Sequence, residues 1–493
     1  MILGWKNFKL TMGLPSPVEL SPPIVLQPSS TQKKVRKREC SFTETFLKTL
    51  IRSGRTFVYP FTPLSIMSDK ASLNFGDSTY SLNVLIGSEN EKALDVRQLR
   101  KDSGLITFDD GYGNTGSCES TVTFIDGDKG ILRYRGYDIA ELAEKSNFLE
   151  VCLLLLNGEL PSSQELTAFE SKVSRFQTLP AEVLHAVQSM PGGIHPMGSL
   201  ASGLQALGGA CPNLCTNDRA QDIANFEDAA ALIIAALPAL AAANYRKKVG
   251  EELRVSDTSL NYCENFLSMM FAKDGDAPVN PALSKALDVI FLLHADHEQN
   301  CSTSTCRMIA SGGANPFASL AGAVSALWGP LHGGANMAVI NMLNDIHNSG
   351  DDGSKFIQSA KEGKSRLMGF GHRVYRNYDP RAKILKSACD QALEALGVSS
   401  PILDIARRLE EVALQDPYFI DRKLYPNVDF YSGIILQALG FPTDTFTVLF
   451  AIGRAPGWLA HWKEIAQTGK RIHRPRQIYQ GANLRPYLSI ENR

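Results

Sequence analysis

Helix-type spacing of apolar residues from Asp138 to the C-terminus is the feature that most restricts the fold. The stretch IAELAEKSNFLEVCLLLLNGELP, Ile139 to Pro161, places apolar residues three and four positions apart and closes with Gly158 and Pro161. Glycine and proline are residue types that end helices. Similar stretches separated by proline and glycine follow, without a repeat of fixed period. The sequence therefore predicts a mainly α-helical protein.

Strand-type patterns precede the helices. Apolar residues alternate around Gly76 and Asp77, and IDGDKG, Ile125 to Gly130, gives a second hairpin signal. We therefore predict a small β-rich segment over residues 67–135. A length of 493 residues further suggests two or more domains.

Composition disfavours two classes of partner. A net charge of −1 leaves no basic surplus to displace counterions, which argues against nucleic acid as the main partner. The longest apolar run, Ala229 to Ala243, is too short for a hydrocarbon core of ~30 Å and contains Pro238. We predict a buried helix there and no membrane partner. The nine cysteines are odd in number and scattered through apolar stretches, which is typical of the reduced thiols of a cytoplasmic or matrix enzyme.

Residues 1–66 form a basic leader that differs from the remainder. They hold ten Lys/Arg against three Asp/Glu, which leaves 40 against 48 for the rest of the chain. The leader is rich in Ser, Thr and Pro, and its basic run is not followed by an uninterrupted apolar segment, so the pattern is not that of a secretory signal. Three interpretations stay open: an organelle transit peptide, a disordered basic arm, or an upstream extension that is not translated.

Four short segments combine acid, base and cationic side chains. They are LLHADHEQN (Leu292 to Asn300), GPLHGGAN (Gly329 to Asn336), GFGHRVYRNYDPR (Gly369 to Arg381) and PNVDFYSG (Pro426 to Gly433). Removing a proton next to a carbonyl group requires a carboxylate base and neutral donors aimed at the developing oxyanion. Asp429 is the candidate base, and His332 and His372 are the candidate donors. Each histidine alone fits a core or helix-end role as well, so the chemistry depends on their combination.

The order and wording of these segments resemble citrate synthases, from about Ser72 to the C-terminus. GFGHRVYRNYDPR matches the family's signature window residue for residue. The sequence from Ala93 to Tyr112 looks like that of the citrate synthases of Gram-negative bacteria. The segment MSDKASLNF, which begins at Met67, resembles the N-terminus of a bacterial citrate synthase. The resemblance implies an acyltransferase, citrate (Si)-synthase, at the entry step of the tricarboxylic acid cycle. Such an enzyme condenses acetyl-CoA with oxaloacetate and water to citrate and CoA through an enol and citryl-CoA.

The resemblance also implies roles for individual residues. His332 matches the residue that donates a hydrogen bond to the thioester carbonyl of acetyl-CoA. Asp429 matches the base that removes a methyl proton, and His372 matches the residue that polarises the oxaloacetate ketone. The positions that match oxaloacetate contacts are His297, His372, Arg381, Arg454 and Arg474. Arg454 is the clearest of these from the sequence itself, because it lies within apolar text, where a charge needs a partner.

Two further groups are assigned less directly. His294 is a neighbour of the oxaloacetate site, and a metal site at His294, His297 and Glu298 is disfavoured because zinc-protease spacings are absent. The resemblance implies no metal and no cofactor, acetyl-CoA being a substrate. The residues that resemble the stretch around the adenine of coenzyme A are Lys364, Arg366, Leu367, Met368, Gly369, Phe370 and Gly371.

The family's organisation predicts a citrate synthase fold with two helical domains. We expect a large domain over residues 136–333 and 441–493 and a small one over residues 334–440. In the family, the arginine matched by Arg474 reaches the neighbouring subunit's site, so a homodimer is the minimum unit, and the Gram-negative form implies a homohexamer. The expected location is the cytoplasm, or an organelle matrix if the leader is a transit peptide. Two alternatives stay open: a 2-methylcitrate synthase acting on propionyl-CoA, and an inactive scaffold protein of the same fold.

Overall fold

A computed structural model describes residues 65–372, 374–397, 401–469 and 471–493. The predicted basic leader therefore lies outside the described residues, apart from its last two positions. The chain forms two compact units, one ending at Gly113 and one from Asn114 to Arg493.

The first unit contains the predicted hairpin. Strand β1 (Ser65–Phe75) pairs antiparallel with β2 (Ser78–Ile86), and β2 pairs with β3 (Lys92–Leu94). Gly76 occupies the turn with a φ of 60°, a conformation that glycine adopts without steric cost. Helix α1 (Leu99–Ser103) follows. The hairpin predicted around Gly76 and Asp77 is confirmed.

The second unit opens with another antiparallel sheet. It consists of β4 (Thr123–Asp126), β5 (Ile131–Tyr134) and β6 (Tyr137–Asp138). The β4–β5 turn is the IDGDKG hairpin that the sequence predicts, with Asp126 paired to Ile131. Strands β2 to β5 lie within the predicted β-rich segment 67–135, whereas β1 begins two residues before it and β6 lies just after it.

Helices make up most of the rest of the second unit, so the mainly α prediction is confirmed, but residues 471–489, where the sequence predicts helical structure, form neither helix nor strand. The helices are α2 (Ile139–Lys145), α3 (Phe148–Asn157), α4 (Ser163–Phe176), α5 (Ala181–Ser189), α6 (Pro196–Ala210), α7 (Arg219–Ala224), α8 (Phe226–Val249), α9 (Tyr262–Phe271), α10 (Pro281–His294), α11 (Cys301–Ser311), α12 (Pro316–Leu327), α13 (Ala335–Asn348), α14 (Ser354–Lys361), α15 (Pro380–Leu396), α16 (Pro401–Gln415), α17 (Pro417–Asp421), α18 (Val428–Ala438) and α19 (Phe446–Thr468). Short 3-10 turns lie at Thr443–Thr445 and Ile490–Asn492.

Two long helices form the centre of the second unit. Helix α19 packs against α3, α8, α10, α11 and α12, and its Trp458 and Trp462 are fully buried. Helix α8 is long and apolar enough to span a membrane by length and composition, yet 83% of its most apolar window is buried inside the protein. All residues of Ala229 to Ala243 are buried, as predicted, in a helix longer than that run.

The helices nearest the candidate site begin with polar caps. Asn280 precedes Pro281 of α10, Asn300 caps α11, and Asp379 precedes Pro380 of α15. A short polar side chain satisfies the free amides of the first turn, and proline at the first position lacks an amide to satisfy. Helix α18 packs on α13, α15 and α16, helix α16 also packs on α13 and α17, and α15 packs on α10. The boundaries between a large and a small helical domain stay a prediction.

Candidate active site

Close packing between α10 and α19 positions Arg454. The amide of Gly457 donates to the Ala295 carbonyl at 3.0 Å, where a Cβ atom would lie 2.3 Å from that oxygen. Arg454 therefore lies beside the end of α10, and its Nε donates to the His294 carbonyl at 2.6 Å. Its guanidinium stands 4.8 Å above the ring centroid of Phe450. Burial lowers the pKa of Arg454 to about 10, so it is a buried cation at neutral pH.

His294 and His297 are buried and neutral. Nδ1 of His294 lies 2.7 Å from the Ile290 carbonyl and therefore carries the proton. The ring of His297 lies 5.3 Å from that of His372 and 5.7 Å from that of Tyr375, between centroids. Burial lowers the pKa of His294 to about 3 and that of His297 well below its ordinary value.

Three buried polar atoms close to this point make no hydrogen bond: Nε2 of His294, Nε2 of His297 and the hydroxyl of Tyr375. Buried polar atoms without a partner are rare and call for an explanation, and a polar ligand is one. Within the described ranges, no group of three or more His, Cys, Asp or Glu side chains is placed to hold a metal ion. The sequence analysis did not single out Tyr375.

His332 is held in a single tautomer by the start of α11. Its Nε2 accepts from the backbone amide of Ser302 at 3.1 Å and lies 2.9 Å from the hydroxyl of the same residue. Because a backbone amide can only donate, Nε2 is the acceptor and Nδ1 carries the proton. Trp458 donates to the Ser302 hydroxyl at 3.2 Å, and that hydroxyl lies 2.8 Å from Oδ1 of Asn300. Burial, with a smaller contribution from Arg454, lowers the pKa of His332 to about 4.

His372 is held in the opposite tautomer. Its Nδ1 accepts from the backbone amides of Val374 at 3.0 Å and Tyr375 at 3.2 Å. Nε2 is therefore the protonated atom and the donor available to a ligand. Burial, and after it the charge of Arg381, lowers the pKa of His372 to about 4. Both candidate donors are thus neutral acids at physiological pH.

The loop that carries His372 is fastened to the segment before α18. Gly369 and Gly371 have φ values of 77° and 74°, which favour glycine. The amide of Asn427 donates to the Gly369 carbonyl at 2.9 Å, and the amide of Gly371 donates to the Tyr425 carbonyl at 2.8 Å. Nδ2 of Asn427 adds a hydrogen bond of 2.9 Å to the Gly371 carbonyl. The sequence analysis assigned these glycines to the coenzyme A stretch, and the structure gives them this additional role.

Asp429 lies in the first turn of α18. The side chain of Asn427 caps the helix by accepting from the Asp429 amide at 3.0 Å. Burial raises the pKa of Asp429 to about 6, although the charges of Arg381 and Arg454 oppose the shift. At neutral pH the group is a carboxylate whose pKa lies near the range that suits a general base.

Arg381 is engaged by an aspartate that the sequence analysis did not assign. Asp379 caps α15 and accepts from Nε of Arg381 at 3.0 Å and from Nη2 at 2.9 Å. The same carboxylate accepts from the Val428 amide at 3.1 Å and so links α15 to α18. Asp379 covers the Nε edge of the guanidinium, so the edge formed by Nη1 and Nη2 is the one that can face a substrate carboxylate.

The remaining predicted residues are exposed on the surface or belong to the loop before His372. Arg474 is exposed in the segment after α19. Lys364 and Arg366 are exposed, and Lys364 pairs with Glu362 at 2.7 Å. Leu367 and Phe370 are buried in their loop. The roles that the sequence analysis assigns to the site residues stay predictions.

A buried polar network lies under the His294–His297 segment. Nε2 of His461 is 3.4 Å from Oδ2 of Asp296. Arg307 Nη1 donates to Nδ1 of His461 at 3.1 Å and to Glu464 at 2.9 Å. Because arginine can only donate, Nδ1 accepts and the proton of His461 points at Asp296. The sequence offers one weak signal for this network, a histidine and a glutamate three residues apart within the apolar text of α19.

This geometry suits an enzyme that removes a proton next to a carbonyl group and stabilises the resulting oxyanion with neutral acids. The family model described as "Citrate synthase, C-terminal domain" matches residues 111–476. The chain is 47% identical over 429 residues to "Citrate synthase 1" of Mycobacterium tuberculosis, covering 86% of this chain and 99% of the relative. It is 48% identical over 433 residues to "Citrate synthase" of Corynebacterium glutamicum, covering 86% and 98%.

Solved structures agree with the sequence relatives. Citrate synthase from Pyrobaculum aerophilum matches with a TM-score of 0.69 at 36% identity, over 76% of this chain and 92% of that one. The Thermoplasma acidophilum enzyme, in a ternary complex with carboxymethyl coenzyme A and oxaloacetate, matches with a TM-score of 0.70 at 31% identity, over 77% and 97%. The chain belongs to the citrate synthase family and has its fold, as the sequence predicts. The Gram-negative, hexameric subtype stays a prediction.

Proposed function

We propose that this acyltransferase condenses acetyl-CoA with oxaloacetate and water to give citrate and free CoA, the entry step of the tricarboxylic acid cycle. The observation that carries the proposal is that two neutral histidines of opposite tautomer and Asp429, whose pKa burial raises to about 6, share the same buried arginines: Arg454 acts on His332 and Asp429, and Arg381 acts on His372 and Asp429. The chain's own side chains supply each acid and base, so the proposal includes no metal or cofactor.

In the first step, the carboxylate of Asp429 removes a proton from the methyl group of acetyl-CoA. Burial favours the neutral carboxyl that results and so assists the transfer. Nδ1 of His332 donates a hydrogen bond to the thioester oxygen as the enol forms. A neutral imidazole suits this role because its pKa of about 4 keeps it free of a formal positive charge.

In the second step, the enol carbon attacks the ketone carbon of oxaloacetate. Nε2 of His372 donates to the ketone oxygen, which becomes the hydroxyl of citryl-CoA. The open edge of Arg381 and the cation of Arg454 bind the two carboxylates, and Nε2 of His297 is placed to contribute a hydrogen bond. The proton held by Asp429 then restores His372, and water cleaves the thioester to the third carboxylate of citrate and the free thiol of CoA with release of one proton to solvent.

Two exposed cations precede the loop that we assign to coenzyme A. Lys364 and Arg366 are exposed beside the loop Leu367–Gly371, where cationic side chains are able to meet phosphate groups. The buried residues of that loop shape its backbone, and we assign the contact with the nucleotide to the loop surface.

We further propose a homodimer as the minimum unit, with a homohexamer as the full assembly, in the cytoplasm or an organelle matrix. The segment 471–493 carries large apolar side chains on its surface, with relative exposures of 102% for Leu484, 83% for Tyr487 and 70% for Ile490. Clustered apolar exposure of this kind marks a protein contact. Arg474 lies in the same segment, which supports its predicted place in a partner's site.

A steady-state assay that follows free thiol tests the function. With oxaloacetate present, we expect a higher kcat/KM for acetyl-CoA than for propionyl-CoA. The reverse order would identify a 2-methylcitrate synthase, because one methylene of pocket space changes selectivity by about 10–200-fold. Absence of thiol release from both substrates would support an inactive scaffold protein.

A further inference from the structure

Glu410, in the middle of α16, is a buried carboxylate outside the group of catalytic candidates. Only 3% of the residue is exposed. It accepts hydrogen bonds from the hydroxyl of Tyr378 at 2.9 Å and from that of Tyr431 at 2.6 Å, and it forms an ion pair with Lys386. A buried carboxylate is costly unless such partners compensate it, so its position has a specific cause.

The three partners come from the segments that carry His372, Arg381 and Asp429. Tyr378 lies in the loop between His372 and Arg381, next to the aspartate that holds the Arg381 guanidinium. Lys386 lies on α15, which begins with the Arg381 turn. Tyr431 lies on α18, two residues after Asp429. One carboxylate thus joins the loop, α15 and α18.

Burial, and after it Glu410, raises the pKa of both Tyr378 and Tyr431, so both hydroxyls stay protonated and donate. The hydrogen bonds therefore have a fixed direction, from the tyrosines to the carboxylate. Hydrogen bonds to a charged acceptor are shorter and stronger than those between neutral groups. Two of them on one carboxylate fix the separation of the loop and α18 more tightly than apolar packing alone does.

We infer that Glu410 is a positioning residue that sets the His372–Arg381 loop against the Asp429 helix through Tyr378 and Tyr431. The inference rests on the proposed function, because it assigns the loop to oxaloacetate and the helix to acetyl-CoA. The two tyrosines then act on different steps. Loss of the Tyr378 hydroxyl loosens the oxaloacetate contacts, and loss of the Tyr431 hydroxyl misplaces the base.

The chain offers a matched control beside Glu410. Glu411 is the next residue on α16, has the same side chain, and forms an exposed pair with Arg408 at 3.4 Å. Glu410→Gln and Glu411→Gln remove the same charge from the same helix. Tyr378→Phe and Tyr431→Phe each delete one hydroxyl and leave the ring packing in place.

Each variant is measured for kcat, for both KM values, for the Kd of oxaloacetate by calorimetry without acetyl-CoA, and for Tm. We expect Tyr378→Phe to raise the oxaloacetate Kd and KM about tenfold with the acetyl-CoA KM within about twofold. We expect Tyr431→Phe to lower kcat about tenfold with the oxaloacetate Kd unchanged. We expect Glu410→Gln to show both defects and Glu411→Gln to show neither. Adding Tyr378→Phe or Tyr431→Phe to Glu410→Gln should cause little further loss of activity, because the residues form one network.

Several outcomes overturn the inference. If both tyrosine variants match Glu411→Gln, the hydroxyls position nothing. If both lower kcat and raise both KM values equally with a lower Tm, the contacts serve the fold alone. If Glu410→Gln does not fold, the two tyrosine variants carry the test. Wild-type protein that releases no thiol from acetyl-CoA and oxaloacetate refutes the proposed function itself, whereas an active wild type with unaffected tyrosine variants refutes only the positioning role.

Discussion

The two sides of the candidate site hold equivalent acids by different means. On the first side, formed by α10, α11 and α19 with the His332 loop, His332 is oriented by Ser302, thirty residues away in sequence. On the second side, formed by the Gly369–Arg381 loop and α18, His372 is oriented by the amides two and three residues after it. Both rings are neutral, yet the first keeps its proton on Nδ1 and the second on Nε2.

The comparison shows that a neutral imidazole donor is fixed when a backbone N–H donates to its other ring nitrogen. A backbone turn supplies that contact locally on the second side, and a helix start supplies it at a distance on the first. The proposed base, Asp429, belongs to the second side alone. Each side therefore supplies a donor and a cation, and only a substitution on the second side removes proton abstraction as well.

The largest expected effect comes from removing the base. Asp429→Asn keeps the size and the helix cap contact but cannot accept the proton, so kcat falls by at least ~100-fold. Oxaloacetate binding stays close to wild type, because Arg454 and His297 of the first side are untouched. Calorimetry and the thiol assay measure both quantities. A kcat within about fivefold of wild type would remove Asp429 from the mechanism.

Arg454→Lys tests the first side. Lysine keeps a charge but loses the planar fork and the Nε hydrogen bond to the His294 carbonyl, so the oxaloacetate KM rises about tenfold or more. The acetyl-CoA KM changes little, because this substrate meets the base and His332. Initial rates with each substrate varied in turn separate the two values. Equal changes in both would indicate a general structural defect.

The pH dependence sharpens the assignment of base and acids. Asp429 acts as a carboxylate, so kcat/KM falls about tenfold per pH unit below its pKa of about 6. His332 and His372 contribute no change between pH 5 and 8, because burial holds the pKa of each at about 4. The profile of kcat/KM in the free enzyme measures this limb. A further rise above pH 7 would mean that one histidine titrates in that range.

The two sides also differ in how much of their structure could be predicted from the sequence. The second side was largely predictable, because its signature window contains His372. The order Asp379, Pro380, Arg381 also marks a helix start, with a polar cap and proline at the first position. The hairpin and the buried α8 run were also predictable from local periodicity.

Contacts between distant residues were not predictable. Ser302 with His332, and Glu410 with Tyr378, pair over thirty residues or more, and no local period encodes such pairs. Asp379 was predictable as a helix cap from its place before Pro380. Its hydrogen bond with the Arg381 guanidinium was not predictable, because it depends on the side-chain geometry. The role of Arg474 depends on a second chain and stays a prediction.

Ser302→Ala tests whether the backbone amide or the hydroxyl of Ser302 orients the His332 ring. The backbone amide still donates to Nε2 of His332, so the tautomer is kept while the hydroxyl contact of 2.9 Å and the link to Trp458 are lost. We expect kcat to fall about fivefold, the worth of one hydrogen bond, with the oxaloacetate KM unchanged. Ser304→Ala, on the same helix, serves as the control in the same assay. A loss as large as that of Asp429→Asn would show that the hydroxyl, and not the amide, fixes the ring.

The smallest effect concerns stability and follows from the raised pKa of Asp429. Its folded value of about 6 exceeds the ordinary 3.8, so between these values the folded protein binds more protons than the unfolded chain. Stability from this group therefore falls as pH rises through the window, and the penalty is complete above about pH 6. Asp429→Asn cannot ionise, so the variant should unfold a few degrees above wild type at pH 7.5 and at the same temperature near pH 4. Thermal melts without substrates measure the difference, with Asp421→Asn as an exposed control. Equal melting temperatures of wild type and Asp429→Asn at both pH values would mean that the fold does not disfavour the Asp429 carboxylate. The pKa of Asp429 would then not be raised towards the range that suits a general base.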